Sequence, residues 1–251
     1  MIVSWWSGGV TSAVACKLAL IKYSNVDLVF IETGSHHADM QRFKKDCEKW
    51  YKKQIITIQT EKFTDHFDVI ERLKFINSPF GAPCTTQLKK RVRENFEKRN
   101  KIDGYVWGFE IGEKEENRAF RVQESNQNFK HYFPLIDHKI TKKKAIKILS
   151  KYNIKPPKMY ELGYHNNNCI GCPKGGMAYW NKIKIDFPDL FIKMANLERK
   201  IGHSCIKGIF LDELKPTQGR KLPPLIADCG SVGEGCEIQL SMEFHRNEAL
   251  R

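Results

Sequence analysis

Two groups of residues in this 251-residue chain have types and spacings that suit chemistry. The first is Ser7-Gly8-Gly9-Val10-Thr11-Ser12, hydroxyls and glycines directly after the apolar run 1–6. Where a strand ends and a helix begins, such a run turns backbone N–H groups and hydroxyls toward one point, and that arrangement binds phosphate. Gly8 and Gly9 admit close backbone approach, while Ser7, Thr11 and Ser12 can donate to phosphate oxygens. No Gly-Lys-Ser/Thr follows, so this is not a Walker loop. The second group is Cys169-Ile170-Gly171-Cys172, in which Gly171 lets both thiolates point at one centre, as tetrahedral metal sites need. A third thiol, Cys84, lies 85 residues earlier, and sequence-distant thiols that meet can hold a cluster. An iron–sulfur cluster, a zinc ion and a metal-free redox or buried pair all remain open for these cysteines. Cys16, Cys47 and Cys205 fall within helical patterns and read as small buried hydrophobes.

The elements that must position these groups follow from periodicity. Residues 1–6 read as a strand, 11–23 as a helix with Val14, Leu18 and Ile21 on one face, and 26–32 as a second, near-continuously apolar strand. A helix over 38–51 and a strand over 54–59 come next, with further strands at 106–109 and, more weakly, 133–136. This alternation predicts an α/β fold, a parallel sheet with helices on both faces, whose ligand site lies outside the carboxyl ends of the strands. Residues 85–101 and 141–152 read as basic helices. From Pro156-Pro157 the regular alternation breaks, so residues 1–155 are expected to form the sheet domain and 156–251 a smaller, loop-rich, cysteine-bearing lobe.

Composition narrows the partners. Lys plus Arg exceeds Asp plus Glu by 42 − 29 = 13, which favours polyanions such as nucleic acid or nucleotides. At this length the chain needs no disulfide staples. No apolar run reaches the roughly 18 residues of a spanning helix, and residues 1–6 lack the basic flank of a secretory signal, so a soluble, cytoplasmic protein with no membrane partner is expected. Lys89, Lys90, Arg91, Arg93, Arg118 and Arg121 can clamp phosphates or simply face solvent. His36-His37 suits a ribose, a phosphate or plain polar surface; Tyr179-Trp180 and Phe187 read as core rather than a base-stacking platform.

The loop resembles the Ser-Gly-Gly-x-Asp-Ser signature of the PP-loop superfamily (N-type ATP pyrophosphatases, adenine nucleotide alpha hydrolases), and the chain is most similar to its phosphoadenosine phosphosulfate (PAPS) reductase branch. Glu32-Thr33-Gly34 resembles that family's Asp-Thr-Gly, and Gly108-Phe109-Glu110 through Glu116-Asn117-Arg118 its Gly-x-Arg-x-x-Glu-x-x-Arg segment. Phe133-Pro134-Leu135-Ile136, Tyr160-Glu161-Leu162-Gly163 and the cysteine pair follow in the family's order, so the resemblance covers about residues 1–175. Thr11 departs from it, standing where the family has Asp.

The resemblance implies an adenine nucleotide, ATP or PAPS, held with Mg²⁺ by Ser7, Gly8, Gly9, Thr11, Ser12, Glu32, Thr33, Gly34, Gly108 and Glu116, with Lys89 and Arg118 acting on it. Cluster-bearing adenylyl-sulfate reductases pair a Cys-Cys-x-x-Arg-Lys segment with Cys-x-x-Cys around one [4Fe-4S] centre, which places Cys84, Cys169 and Cys172 as three ligands and Thr85 where a fourth would be. The fourth iron is then open, as in the similar tRNA thiolases, or is closed by Cys229 or Cys236, or the metal is zinc. Cys229-Gly230 is also similar to the Cys-Gly-x-His nucleophile of PAPS reductases, with Val232 in the place of the His. The expected activity is ATP-dependent adenylation and sulfur transfer, with a possible nucleic-acid substrate, a sulfur or electron donor protein as partner, and a homodimer as the possible assembly. Reduction of adenylyl sulfate or PAPS to sulfite, and a non-enzymatic nucleic-acid-binding module with a structural metal, are the alternatives.

Overall fold

The structure, a computed structural model, describes residues 1–219. Five strands, β1 (Ile2–Trp5), β2 (Val26–Ile31), β3 (Ile56–Ile58), β4 (Gly104–Val106) and β5 (Lys130–Tyr132), form one sheet in the order β3-β2-β1-β4-β5. Every neighbouring pair is parallel, as the strand and helix alternation predicts. The helices are α1 (Val10–Lys22), α2 (Met40–Tyr51), α3 (His66–Leu73), α4 (Pro83–Thr85), α5 (Arg91–Arg99), α6 (Glu113–Ser125), α7 (Pro134–Asp137), α8 (Lys142–Lys151), α9 (Lys158–Glu161), α10 (Met177–Asp186) and α11 (Pro188–Ile201).

Side chains alternate across β1, and the alternation shows both faces covered. Ser4 bonds Cys16 of α1 at 3.1 Å, and Trp6, just past the strand, packs on Phe30 and Phe43 of α2. Trp5 points the other way, against Phe96 of α5 and Tyr105 of β4. Burial pushes the thiols of Cys16 and Cys47 up to about 12, so both are inert packing residues, as their helical setting predicts.

Several boundaries differ from the sequence expectation. The fourth strand stops at Val106, and the expected fifth, 133–136, is the short helix α7 after a strand at Lys130–Tyr132. Pro134 explains the shift: lacking an N–H it suits the first turn of a helix, where that donor has no partner anyway. The basic helix expected over 85–101 begins at Pro83 and carries a π-helical stretch, Thr86–Lys90, before α5.

The chain divides into two compact units, and not by a single cut after residue 155. The sheet unit comprises Met1–Glu32, His37–Gln59 and Val92–Glu161; the cysteine unit comprises Thr33–His36, Thr60–Arg91 and the described residues from Leu162 onward. In the sheet unit one core runs from α1 and α2 over β1, β2 and β4 to α7 and α8. In the cysteine unit α3 packs against α4 and α11, and α10 against α11. No helix among the described residues is long and apolar enough to cross a membrane.

Candidate functional site

The Ser7–Ser12 loop belongs to the sheet unit, where the strand order reverses direction. β1 is flanked by β2 and β4, so the chain leaves its carboxyl end toward one side and returns on the other, and in open parallel sheets ligands bind at this switch point. The loop Ser7–Ser12 follows β1 there, and Gly108 follows β4.

Their fit is tight. A Cβ on Gly108 would stand 2.6 Å from the Ser12 Cα and 2.8 Å from its backbone nitrogen, so only glycine lets the chain after β4 lie against the start of α1. Ser12 is turned into the loop: its hydroxyl donates to the Gly9 carbonyl at 2.9 Å and accepts from the Ser7 amide at 3.1 Å and the Ser7 hydroxyl at 3.0 Å. A hydroxyl has one proton, so in this arrangement Ser12 shapes the loop from within. The first turn of α1, with Gly9 as its N-cap and Thr11 half-buried, supplies the N–H groups that lack intrahelical partners. The Tyr160 hydroxyl lies beside it, 3.4 Å from the Val10 amide nitrogen.

Other residues expected around a nucleotide are placed as follows. Glu32 ends the sheet unit, its amide donating to the Ile58 carbonyl at 2.9 Å. The Arg118 guanidinium lies 4.5 Å from the Phe109 ring centre and 3.3 Å from Glu115, and the Glu116 carboxylate accepts from the Gly112 amide at the start of α6. Glu110 receives the Lys142 amide and so caps α8. Thr33, Gly34, Lys89 and Lys90 belong to the cysteine unit, and Lys90 is buried there. Gly34 has its own reason to be glycine: φ is +67°, and a Cβ would fall 1.9 Å from the Thr64 carbonyl oxygen.

Within the cysteine unit the Cys169–Cys172 turn is held from three sides. The Ile170 amide donates to the Ser35 carbonyl at 2.9 Å. The Tyr179 hydroxyl accepts from the Cys172 amide at 3.0 Å and donates to the Cys169 carbonyl at 3.3 Å. His66, 2 % exposed, donates from Nε2 to the Gly171 carbonyl at 3.0 Å, since a carbonyl can only accept. Burial, opposed by the Asp65 charge and the Gly171 bond, lowers His66 to about 4, so its ring is neutral at pH 7 and Nδ1 accepts from the Ser35 hydroxyl at 2.8 Å. Thr33 completes the surround, its hydroxyl 3.4 Å from the Cys169 sulfur.

Cys84, Cys169, Cys172 and Cys205 thus share one unit, with Cys169 half-buried and the others buried. Cys205 is the thiol that sequence reading set aside. Burial first, then the Glu198 carboxylate, then the charges of Cys172 and Cys84, push its thiol well above the ordinary range. Ser35, His66 and Tyr179 were likewise missed, because no spacing in the sequence links them to the cysteine pair. Among the described residues no group of three or more His, Cys, Asp or Glu stands arranged around a single metal ion. Cys229 and Cys236 lie outside the described residues.

The family model "Phosphoadenosine phosphosulfate reductase domain" matches residues 1–175. Two uncharacterized proteins of Methanocaldococcus jannaschii are similar: MJ0973, 23% identical over 92% of this chain and 55% of its own, and MJ0066, 30% identical over 78% and 41%. The chain therefore spans about half the length of the curated relatives it matches. Among solved structures, a phosphoadenylyl-sulfate (PAPS) reductase from Candida auris in a phosphate complex superposes with a TM-score of 0.52 at 15% identity, covering 67% of this chain and 80% of that one, a likeness of fold.

Proposed function

This chain belongs to the phosphoadenosine phosphosulfate reductase domain family, a family of enzymes, and from that premise we propose that it binds ATP on its phosphate loop and uses it to activate a substrate for sulfur transfer. The observation that carries the nucleotide reading is the Ser7–Ser12 loop at the sheet's switch point, braced by Gly108 against Ser12. The first-turn N–H groups of α1 and the Thr11 hydroxyl would receive the phosphates. The loop carries no carboxylate, Thr11 replacing the family's Asp, so Mg²⁺ would enter on the phosphates themselves.

In the proposed reaction a carbonyl oxygen of the substrate attacks the α-phosphorus, the bond to the β-phosphate oxygen breaks and pyrophosphate leaves. A hydrosulfide-level sulfur from a donor protein then attacks the activated carbon, and the carbon–oxygen bond breaks to release AMP. Arg118, held over Phe109 and beside Glu115 in the sheet unit, is our choice for stabilising charge on the departing pyrophosphate. The net charge of +13 favours a nucleic-acid substrate.

Cys84, Cys169 and Cys172 are soft donors of the kind that iron–sulfur clusters take, and the Cys169–Cys172 turn is already braced by Ser35, His66 and Tyr179, so the residues fit a [4Fe-4S] group. Such a group would supply one-electron chemistry or a rigid anchor. Zinc would be held by the same thiolates.

The family itself favours a second reading, reduction of adenylyl sulfate or PAPS to sulfite. Incubation of the anaerobically purified chain with ATP, Mg²⁺, sulfide and bulk RNA separates the two. Release of AMP and pyrophosphate in equal amounts, dependent on RNA, supports sulfur transfer. Sulfite release from adenylyl sulfate or PAPS with a viologen reductant, and no AMP from ATP, supports the reductase. Neither release, together with RNA binding, would leave the non-enzymatic binding module.

A further inference from the structure

Cys205 lies on the turn after α11, beyond the residues matched by the family model and away from Cys-x-x-Cys in sequence. Hydrogen bonds nonetheless tie it to that motif. The side-chain amide of Asn77 donates to the Pro173 carbonyl at 2.5 Å and to the Cys205 carbonyl at 2.9 Å, so one side chain joins the residue after Cys172 to Cys205. From the other side Glu198, fully buried, accepts from the Cys205 amide through one oxygen and from the Leu211 amide at 2.6 Å through the other. His203 donates to the Asn77 carbonyl at 3.2 Å and closes the same knot.

A carboxylate without exposure is costly unless both oxygens are bonded, and here the two bonds fix the backbone of the turn that carries Cys205. Asn77 and this anchor hold Cys205 beside the residue that follows Cys172, in the unit that also carries Cys84, and all three cysteines are below one-tenth exposed. We propose that Cys205 is the fourth cysteine of the cluster site, completing an all-thiolate donor set with Cys84, Cys169 and Cys172. The proposal rests on the iron–sulfur reading above. A cluster with four protein thiolates has no free iron for a substrate sulfur. The sulfur must then arrive on a donor.

The test uses the full chain, anaerobically reconstituted with iron and sulfide, as wild type, Cys205→Ser, Cys205→Ala, Cys229→Ser and Cys236→Ser. Iron, acid-labile sulfide and the electron paramagnetic resonance spectrum are measured, with circular dichroism as the folding control. The wild type is expected to hold about four irons and four sulfides. Both Cys205 variants should lose about half of that iron or more, or show an altered resonance, while the Cys229 and Cys236 variants match wild type. Unchanged iron and an unchanged spectrum in Cys205→Ala would overturn the proposal, whereas a wild type without iron and sulfide would overturn the iron–sulfur reading itself. Alkylation of the loaded wild type with iodoacetamide needs no variant: chelation of the iron should expose Cys205 together with Cys84, Cys169 and Cys172. Exposure of those three with no change at Cys205 counts against it.

Discussion

In the sheet unit the candidate site is shaped by backbone lying against backbone, Gly108 on Ser12, with one inward-turned hydroxyl closing the loop. In the cysteine unit the turn that presents the thiols is shaped by buried side chains, His66 and Tyr179, reaching in from other segments and bonding its backbone. The first design tolerates no added atom at the contact and is indifferent to protonation. The second depends on particular protons being present. The two sites should therefore fail under different insults.

The largest effect should come from the steric one. Gly108→Ala forces a methyl group into the start of α1, and since the opposing atoms are backbone, relief requires the chain after β4 to move. We expect a stability loss of about 3 kcal/mol, at the upper end for overpacking, and loss of ATP binding. Urea unfolding and equilibrium dialysis with ATP check both. Iron content should be unchanged, and a variant that bound ATP normally would show that the brace does not shape the loop.

Protonation provides the next largest, and it should strike only the cysteine unit. His66 is held neutral with its value lowered to about 4, against 6.5 when unfolded. The unfolded chain therefore binds the proton first as pH falls. The stabilisation is complete above pH 6.5, declines as pH drops toward 4, and amounts to about 3 kcal/mol over that window. Stability measured from pH 7.5 to 4.5 in the wild type and in His66→Gln should show a steeper acid loss in the wild type. Parallel curves would mean that His66 does not carry the pH dependence.

These two residues also show what a sequence can reveal. Gly108 sits in a short motif next to a strand end, so its importance was legible from local order, as were the parallel sheet and the Ser7–Ser12 loop. His66, Ser35 and Tyr179 act on Cys169–Cys172 across long sequence separations, His66 reaching Gly171 105 positions away, and no periodicity announces such a bond. Cys205 is buried, as its sequence setting suggests, but its bonds to Asn77 and Glu198 come from different elements and could not be read from local order. For Ser12 the residue type suggests a phosphate donor, while the inward bond of its hydroxyl to Gly9 was not legible from the sequence.

A smaller loss is expected from Tyr179→Phe, which removes one oxygen and leaves the ring in place. The Cys172 amide then loses its Tyr179 acceptor in a buried setting, a cost of about 1–2 kcal/mol. Its informative readout is selectivity: retention of iron under chelator challenge should fall while ATP affinity stays at the wild-type level. Equal losses of both would mean that the two sites share their support.

The smallest change in stability should come with a large change in binding. Gly9 is the N-cap of α1 with φ −93° and ψ 160°, a conformation open to any residue, and an added Cβ would meet only the Tyr160 hydroxyl at 3.4 Å and the Ser7 hydroxyl at 3.7 Å. Aspartate is a better N-cap than glycine by a few tenths of a kcal/mol, and its charge suits the positive end of the helix. Gly9→Asp should therefore fold as well as wild type or slightly better. The same carboxylate, however, occupies the position proposed for a phosphate and repels it, so ATP affinity should drop by about tenfold or more, since 1.4 kcal/mol of repulsion suffices for that factor. Stability gained while affinity is lost would mark the end of α1 as a site kept vacant for an anion. If ATP affinity did not weaken in the folded variant, the nucleotide would have to be sought elsewhere in the sheet unit.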